Sequence, residues 1–367
     1  MNILQVSAYF PPHIGGVETY VMELSKHLAH LGNNVEVVTS TSSSSPFFKV
    51  KTLETYFTLM GNPVLKGVRT IIGKGAFDVV HLHTPPQIPV HQAVQACKDA
   101  DIPVVLTYHC DGEVGHPLLN FSIPLYMHTI WQMTLAQVDR IIATTQSYAS
   151  TSPYIKEREV SIVPSGVDID RFDSKTSSKR IRKRYGIEDK LIIGFVGRLV
   201  RHKGVHILLD AIHQLDADNI ACLIVGEGYM RKELESIAQR KGMKDVIFTG
   251  KVHEDDLPHY YATFDVFVLP SLSREEAFGC SVVEAMASGK PVLVSQIPGP
   301  DEVATDGCGL LFQKGNALDL KDKLIGLLDD EALRREMGML ARKRAEERFD
   351  WNIIAKKVLD IYQEVVS

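Results

Sequence analysis

The sequence lacks the paired cysteines and the excess of basic residues that mark two large classes of protein. Its 367 residues include five scattered cysteines and no Cys-x-x-Cys pair: Cys97, Cys110, Cys222, Cys280 and Cys308. This spacing argues against the common structural zinc motifs and is typical of a reducing, cytosolic compartment. The net charge of −5 argues against a nucleic-acid partner, because nucleic-acid-binding domains are usually strongly basic.

Signals for export, membrane spanning and dinucleotide binding are also missing. The N-terminal MNILQVSAYF has neither a basic region nor a small-residue cleavage site, so we expect no signal peptide. Residues 117–138 are uncharged but rich in Asn, Ser, His and Gln, which favours a buried or interfacial helix at 123–138 over a membrane span. No G-x-G-x-x-G follows the first strand of either half, which argues against a dinucleotide dehydrogenase.

Strand and helix patterns alternate twice along the chain, which predicts an α/β fold. The length suggests two domains. In the first, the buried strand at 2–7 precedes a helix with an apolar face at Val17, Val21, Leu24, Leu28 and Leu31. We predict two doubly wound, Rossmann-like parallel-sheet domains facing each other across a cleft at the carboxyl ends of their strands.

The most informative stretch is Pro270–Pro291, PSLSREEAFGCSVVEAMASGKP. An apolar strand runs into a polar loop with Glu276, and a helix that carries Glu284 ends at Gly289. With Glu276 at the mouth of this helix, the rise per residue places the two carboxylates about 12 Å apart. Carboxylates that flank one glycosidic bond lie within about 9.5 Å, so this pair suits the two ends of one long ligand.

A second motif, LIIGFVGRLVRHKGV at 191–205, predicts an anion site. The strand ends at Gly197-Arg198, and Lys203 precedes Gly204 at the start of a helix. Two cations beside a helix N-terminus bind an anion without a metal ion.

The first domain offers weaker signals of the same kind. Gly15-Gly16 opens a helix after the first strand. The segment at 103–113 contains a strand that ends at His109, at the carboxyl edge where α/β sheets bind ligands. His81 and His83 share one face of a strand without an acid or cysteine near them at a usual spacing, which favours packing or cleft lining over a metal site.

The run EAFGCSVVE followed by AMASGKPV resembles the paired-glutamate motif of retaining nucleotide-sugar glycosyltransferases of glycosyltransferase family four, which have the GT-B fold. The resemblance implies that Glu276 contacts the donor sugar, that Glu284 holds the nucleotide ribose, and that Arg198 and Lys203 neutralise the donor diphosphate. His109 would touch the donor sugar near its reacting carbon. The remaining donor-binding positions that it implies are Gly15, Gly16, Gly197, Val252, Ala277, Phe278 and Gly279.

The resemblance also implies a domain plan. It gives an N-terminal acceptor-binding domain at 1–170, a linker at 171–186 and a donor-binding domain at 187–350. A last helix at about 352–366 would pack back on the first domain. The linker contains seven Lys or Arg and one acid between 171 and 184, which is typical of a solvated helix, with an anionic partner as the alternative.

The implied function is transfer of a hexosyl unit, of the mannose or glucose/N-acetylglucosamine type, from a nucleotide-diphosphate sugar to a glycan or lipid-linked acceptor. We predict retention of configuration and no metal or other cofactor. The Asp-x-Asp triplet at 168–170 precedes Arg171 in the segment that leads to the linker, and we do not assign it to a metal. The alternatives are a nucleotide-sugar epimerase of the same fold and a catalytically silent binding module.

Residues 46–75 combine aromatic and basic side chains, with Glu54 as their one acid. Such a segment can rest on an anionic membrane, which would place the protein at the inner face of the plasma membrane. The alternative is a solvated insertion that covers the first domain.

Overall fold

The computed structural model of the chain describes residues 1–13, 15–59, 61–111, 127–215 and 217–367. The chain forms two compact units. The first contains Met1–Ser165 and Trp351–Ser367, and the second contains Gly166–Asp350.

The first unit is built on a parallel sheet. Its strands are β1 Asn2–Val6, β2 Asn34–Thr39, β3 Lys49–Thr52, β6 Val79–Thr84, β7 Val104–Tyr108, β8 Arg140–Ala143 and β9 Val160–Ile162, and β4 Thr55–Leu59 pairs with β5 Asn62–Leu65 in a separate antiparallel hairpin. Its helices are α1 Gly16–His30, α2 Val68–Lys74, α3 Gln87–Ala100, α4 Ile130–Leu135 and α5 Gln146–Thr151. The strand order β3-β2-β1-β6-β7-β8-β9 reverses between β1 and β6.

The second unit repeats this plan. Its strands are β10 Leu191–Val196, β11 Ile220–Val225, β12 Val246–Gly250, β13 Val266–Leu269, β14 Val292–Ser295 and β15 Gly309–Phe312. Its helices are α6 Lys179–Tyr185, α7 Val205–His213, α8 Arg231–Arg240, α9 Leu257–Thr263, α10 Cys280–Ala287, α11 Pro300–Val303, α12 Ala317–Asp329 and α13 Glu331–Arg344. The order β12-β11-β10-β13-β14-β15 reverses between β10 and β13. The predicted α/β class with two doubly wound parallel-sheet domains is confirmed.

The last helix, α14 Trp351–Val366, belongs to the first unit. Trp351, Ile354 and Val358 on its apolar face join the core that α1 forms with the sheet. The energy of this contact comes mainly from removing apolar surface from water. Unit 1 is thus built from both ends of the chain.

Several local expectations differ from the structure. Leu31 was expected on the apolar face of the first helix, but it lies after the end of α1 and is 40% exposed. Residues 171–186, expected as a linker, lie in the second unit, where Ile181 is buried in the core. Arg182 ties α6 to that unit by donating a 2.9 Å hydrogen bond to the carboxylate of Asp265.

Two expectations concern the surface of the first unit. Residues 46–75 form β3, the hairpin β4-β5 and α2, and Phe48 is buried in the core rather than exposed. The helix expected at 123–138 falls partly outside the described residues, which include α4 at Ile130–Leu135. No helix in the described ranges combines the length and the apolar character needed to cross a lipid bilayer.

Candidate nucleotide-sugar site

The loops after β10 and β13 lie side by side at the carboxyl edge of the second sheet. The two strands are parallel neighbours, with Ile193 opposite Val266, although their sequences are far apart. The strand order reverses between them, and open α/β sheets bind ligands in the crevice at such a switch point. Arg198 and Lys203 follow β10, and Glu276 follows β13.

The loop after β10 is held tightly against the end of β13. Residues Arg201–Lys203 form a single 3₁₀ turn that ends at Gly204, whose φ is +67°. A Cβ at Gly204 would lie 1.9 Å from the carbonyl oxygen of Pro270, so only glycine allows this approach. The amide of Leu272 donates a 2.6 Å hydrogen bond to the carbonyl of His202, which fixes the same contact from the other side.

Two side-chain contacts join these loops. Lys203 Nζ contacts Glu276 Oε2, and both side chains are largely buried, at 15% and 9% exposure. Ser271 Oγ donates a 3.1 Å hydrogen bond to the same carboxylate oxygen. One residue earlier in each loop, His202 Nδ1 lies 2.9 Å from Glu275 Oε2. The structure therefore brings together Lys203 and Glu276, two of the predicted site residues.

Glu276 was expected at the start of the helix, but it lies in the loop before the helix. α10 begins at Cys280, after Gly279 with a φ of +90°, so the separation of about 12 Å based on helical rise does not apply. Glu284 lies on α10. Tyr261 on α9, which is fully buried, donates a 2.5 Å hydrogen bond to its carboxylate.

The protein environment of Glu284 stabilises the protonated form of its carboxyl group more than water would. Burial raises the pKa of Glu284 to about 7, although the hydrogen bond from Tyr261 and the charge of Arg171 act in the opposite direction. A small change in pH or in the charge of a ligand therefore changes the protonation of this carboxyl group near neutrality.

Arg198 offers an uncommitted positive charge at the same sheet edge. Its side chain is exposed, and it forms no hydrogen bond or ion pair with any of the residues that the structure describes. The backbone beneath it is closely packed, because a Cβ at Gly226 would lie 1.9 Å from the carbonyl oxygen of Gly197. This packing fixes the start of the loop while the guanidinium remains in solvent.

The other predicted donor-binding positions of this unit contribute little side-chain chemistry. Ala277 and Phe278 are buried, and the Phe278 ring packs edge-on against Phe349 in the core. Val252 is partly buried against the same core. These positions could reach a ligand mainly through their backbone groups.

In the first unit, Gly15 and Gly16 begin α1 beyond the end of β1, beside the switch point between β1 and β6. The carboxylate of Glu18 lies against Gly15, since a Cβ there would be 2.2 Å from Glu18 Oε2. His13 Nδ1 lies 2.8 Å from Glu18 Oε1. A carboxylate thus occupies the positive end of this helix, where the sequence predicts contact with a phosphate.

His109 is partly buried and lies beside the buried His81 and His83. Its Nε2 lies 3.2 Å from His83 Nδ1, and the two rings stack with centroids 5.5 Å apart. Burial lowers the pKa of His109 and of His81 to about 3, and it also lowers the pKa of His83 well below its ordinary value. All three imidazoles are therefore neutral at pH 7.

Within the described ranges, no group of three or more His, Cys, Asp or Glu side chains is arranged to hold a metal ion. The triplet at 168–170 forms a turn in which Asp168 Oδ1 accepts hydrogen bonds from the amides of Asp170 and Arg171. A further Asp-x-Asp triplet ends α3, where Asp99 pairs with Arg69. The triplet at 216–218 begins outside the described residues.

Sequence reasoning missed three residues that contact the predicted ones. Tyr261 holds Glu284, Ser271 holds Glu276, and Gln5 contacts His83. Of these three residues, only Gln5 could have been found from the sequence, because a polar residue inside the apolar strand NILQV requires a buried partner. Tyr261 follows the ordinary apolar pattern of a short helix.

Two family profiles match the chain, one for each unit. The profile described as "Glycosyltransferase Family 4" matches residues 14–171, and the profile described as "Glycosyl transferases group 1" matches residues 177–344. Together they cover nearly nine tenths of the sequence. The chain belongs to these glycosyltransferases.

Relatives that align along nearly the whole chain agree with this assignment, and a solved structure shares the fold. The glycosyltransferase is 26% identical to O-antigen chain mannosyltransferase C of Escherichia coli, over 100% of this chain and 99% of the relative. It is 29% identical to D-inositol 3-phosphate glycosyltransferase of Streptomyces bingchenggensis, over 96% and 85%. Anabaena Alr3699/HepE in complex with UDP-glucose shares the fold, with a TM-score of 0.80, 22% identity and coverage of 99% and 100%. The glycosyltransferase therefore has the GT-B fold.

Proposed function

We propose that this glycosyltransferase transfers a hexosyl unit from a nucleoside-diphosphate sugar to a glycan or lipid-linked acceptor with retention of configuration. The observation that carries the proposal is the contact between Lys203 and Glu276 at the switch point of the second sheet. It places an ammonium group, which can bind a phosphate, beside a carboxylate, which can accept hydrogen bonds from sugar hydroxyls.

Charge development during the reaction gives Arg198 and Lys203 their roles. Cleavage of the sugar–phosphate bond leaves negative charge on the diphosphate, and groups preset where charge develops supply much of the catalysis. Lys203 is positioned by Glu276, whereas Arg198 is solvated and able to move toward the ligand. The proposal assigns the charge of the leaving diphosphate to these two cations and requires no metal ion.

The two glutamates then bind the neutral parts of the donor. Glu276 accepts hydrogen bonds from sugar hydroxyls with its carboxylate, which Lys203 and Ser271 hold in place. Glu284, oriented by Tyr261, accepts from the ribose hydroxyls. Neither carboxylate acts as a nucleophile. The acceptor hydroxyl attacks from the face that the phosphate leaves, and the leaving phosphate takes the proton of that hydroxyl. His109 contacts the donor sugar near the reacting carbon.

The comparisons support a hexosyl donor. One of the relatives is an O-antigen chain mannosyltransferase, and the Anabaena structure contains UDP-glucose. The assignment of this chain to a GDP- or UDP-linked hexose is our proposal and awaits a binding test.

We also propose that the hairpin β4-β5 rests on an anionic membrane where the acceptor is lipid-linked. Tyr56, Phe57 and Leu59 on β4 are each more than half exposed. Lys49, Lys66 and Arg69 form ion pairs with acidic side chains. The other two cations of 46–75, Lys51 and Lys74, form no ion pair with any of the described residues. Exposed apolar side chains beside unpaired lysines are typical of an interfacial contact. This contact would place the protein at the cytoplasmic face of the membrane.

A thermal-shift panel of nucleoside diphosphates and their sugars, with and without EDTA, tests the donor assignment. A donor at 100 times its dissociation constant stabilises the protein by about 2.7 kcal/mol. We expect one nucleotide series to stabilise the wild type in EDTA, with a smaller shift for Glu284→Gln and an unchanged shift for the exposed control Glu331→Gln. No shift for any compound, or a shift that disappears in EDTA, would contradict the proposal.

Product analysis by NMR then separates transfer from its closest rival. A retaining transferase joins the sugar to an acceptor with the anomeric configuration of the donor. An epimerase would release a changed free sugar without consuming an acceptor, and that result would replace the proposed function.

A further inference from the structure

Glu254 is an exposed glutamate that is nevertheless held in place. It begins a short 3₁₀ turn, Glu254–Asp256, between β12 and α9. One nitrogen of Arg171, Nη2, donates a 2.6 Å hydrogen bond to the backbone carbonyl of Glu254 and a 2.8 Å hydrogen bond to its Oε2. The side chain of Glu254 is 70% exposed. Its carboxylate is therefore fixed through one oxygen and remains accessible to a ligand.

The other two acids of this turn have different surroundings. Asp256 forms an ion pair with Arg180 of α6, and the side chain of Asp255 is 88% exposed. Arg171 thus distinguishes Glu254 from the acids that follow it.

A series of contacts joins the pair of Arg171 and Glu254 to Glu284. The guanidinium of Arg171 lies over the ring of Phe172, 5.1 Å from its centroid. That ring packs edge-on against Tyr261, with centroids 5.5 Å apart, and the hydroxyl of Tyr261 donates its hydrogen bond to Glu284. The pair therefore lies near the carboxyl group to which the proposed function assigns the ribose.

Electrostatics supports the same proximity. Burial is the largest cause of the raised pKa of Glu284, the charge of Arg171 opposes it, and the charge of Glu254 adds to it. The charge of Lys203 also lowers the pKa of Glu284, but by less than Arg171 does. Arg171, Glu254 and Lys203 are thus charged groups that act on Glu284.

The order of groups in a nucleoside diphosphate assigns these charges to different parts of it. Lys203 contacts Glu276 in the loop before α10, where the proposed function puts the diphosphate. Glu284 lies one turn inside α10 and takes the ribose. The base is attached to the ribose away from the phosphates, so it lies on the side of Glu284 away from Lys203. Arg171 and Glu254 are the charged groups that remain near Glu284 to face it.

A carboxylate distinguishes among nucleobases because it can only accept hydrogen bonds. Guanine presents two adjacent donors, N1–H and the 2-amino group, which match the two carboxylate oxygens. Uracil, cytosine and adenine place a carbonyl oxygen or an unprotonated ring nitrogen beside their donor, and its lone pair repels the carboxylate. The hydrogen bond from Arg171 does not exclude the base, since a carboxylate has about four acceptor positions.

We propose that Glu254 selects a guanosine-diphosphate sugar as the donor, by accepting hydrogen bonds from N1–H and the 2-amino group of guanine. The inference rests on the proposed function, which places the ribose at Glu284. Arg171 is a positioning residue, because it fixes the carboxylate of Glu254 before the nucleotide binds and so lowers the entropic cost of binding.

Calorimetry with four nucleoside diphosphates in EDTA tests the selection in the wild type. The probes are GDP, UDP, ADP and IDP, which is GDP without the 2-amino group. We expect GDP to bind at least about 10-fold more tightly than UDP or ADP, as for a matched pair of hydrogen bonds to a base. IDP, which retains N1–H alone, should bind with intermediate affinity.

Variants of the turn show whether Glu254 is responsible. Glu254→Met keeps the length of the side chain and removes both acceptor oxygens, so GDP, IDP and UDP should bind it with equal affinity. The matched control Asp255→Asn removes one negative charge from the same turn and should keep the order of the four affinities. A second control, Glu331→Gln, alters a glutamate of similar exposure that also pairs with an arginine.

The ratio of affinities is the decisive readout, because a change in charge near Glu284 acts on every nucleotide alike. A wild type that binds UDP or ADP as tightly as GDP would overturn the inference and leave the proposed function intact. A preference for GDP that persists in Glu254→Met, or that is lost equally in Asp255→Asn, would do the same. If the folded wild type binds none of the four compounds, the proposed function fails together with the inference.

Discussion

Lys203 and Glu276 form an ion pair although they are 73 residues apart in the sequence. Each follows a different strand, and the contact exists because β10 and β13 are neighbours in the sheet. Both side chains are largely buried, so each charge depends on the other for compensation. The pair therefore links the stability of the second unit to the proposed donor site.

Removal of one partner should cost more than removal of both. Glu276→Gln leaves Lys203 without its counter-charge and should lower the free energy of unfolding by about 3 kcal/mol or more. The double variant Lys203→Met/Glu276→Gln should lose less than Glu276→Gln alone, because no uncompensated charge remains. Urea denaturation measures all three. The control is Glu331→Gln, which breaks the exposed pair with Arg335 and should cost about 0.5 kcal/mol or less. Equal losses in the free energy of unfolding for Glu276→Gln and Glu331→Gln would show that burial does not make the pair of Lys203 and Glu276 more costly to break.

Glu284 should make stability fall as pH rises. Its pKa is about 7 in the folded protein against an ordinary 4.5, so the native state binds the extra proton between these values. This contribution to the free energy of unfolding is fully present below pH 4.5 and is lost as pH rises through 7. The loss is on the order of 3 kcal/mol, because each pKa unit corresponds to about 1.4 kcal/mol. Unfolding measured at pH 5 and pH 8 should show this loss in the wild type but not in Glu284→Gln. An equal change in both proteins would contradict the assignment.

Tyr261→Phe should move the titration of Glu284 to higher pH. The hydroxyl of Tyr261 stabilises the charged form of Glu284, so its removal raises the pKa of Glu284 further. Nucleotide affinity, measured by calorimetry from pH 6 to pH 8.5, should increase with pH in the wild type as the carboxylate forms. In Tyr261→Phe, the increase should occur at higher pH. Superimposable profiles would show that Tyr261 does not act through Glu284.

Gly204 and Gly242 form a matched pair for testing the close approach of the loop to β13. Their φ values are +67° and +66°, but a Cβ at Gly242 would meet nothing within 4 Å. Both alanine variants carry the cost of a left-handed residue, about 1 to 2 kcal/mol. Gly204→Ala should lose a further 1 to 3 kcal/mol through its clash with Pro270. Denaturant midpoints test this difference, and equal losses would show that the loop can move away without cost.

The hairpin should determine binding to membranes. Changing Tyr56, Phe57 and Leu59 to Ser should abolish flotation with vesicles that contain anionic lipid. The control changes Met339 and Leu318, which are also highly exposed but lie in the second unit. This control should float like the wild type. Absence of wild-type flotation, or equal losses in the two variants, would contradict the membrane contact.

The sequence predicts the two sheets well because its strands are buried, short and regularly alternated with helices. It predicts Arg198, Lys203, Glu276 and Glu284 as a set only through the family motif. It does not predict that Lys203 touches Glu276, because that contact depends on which strands pair. The position of Glu276 outside α10 depends on the left-handed backbone at Gly279, which composition does not reveal.

The buried polar contacts that His81 and His83 make in the first unit were less accessible to sequence reasoning. His81 and His83 were expected to pack or to line a cleft, and their partners come from β1, β7 and the last helix. Gln5 stands out as a polar residue in an apolar strand, but one of its partners, Tyr362, lies more than 350 residues later in the sequence. Such long-range partners are set by topology rather than by local pattern.

We propose that Arg198 neutralises the leaving diphosphate without a metal ion. The most direct measurement is the single-turnover rate of nucleoside diphosphate release in EDTA, together with the donor dissociation constant, for the wild type and Arg198→Met. In Arg198→Met we expect a rate at least about 100-fold lower than in the wild type, with a donor affinity within about fivefold of the wild-type value. Arg201→Met, a neighbouring exposed cation of the same loop, should retain the rate of the wild type. Equal rates for Arg198→Met and Arg201→Met, or a wild type that is inactive in EDTA, would contradict the claim.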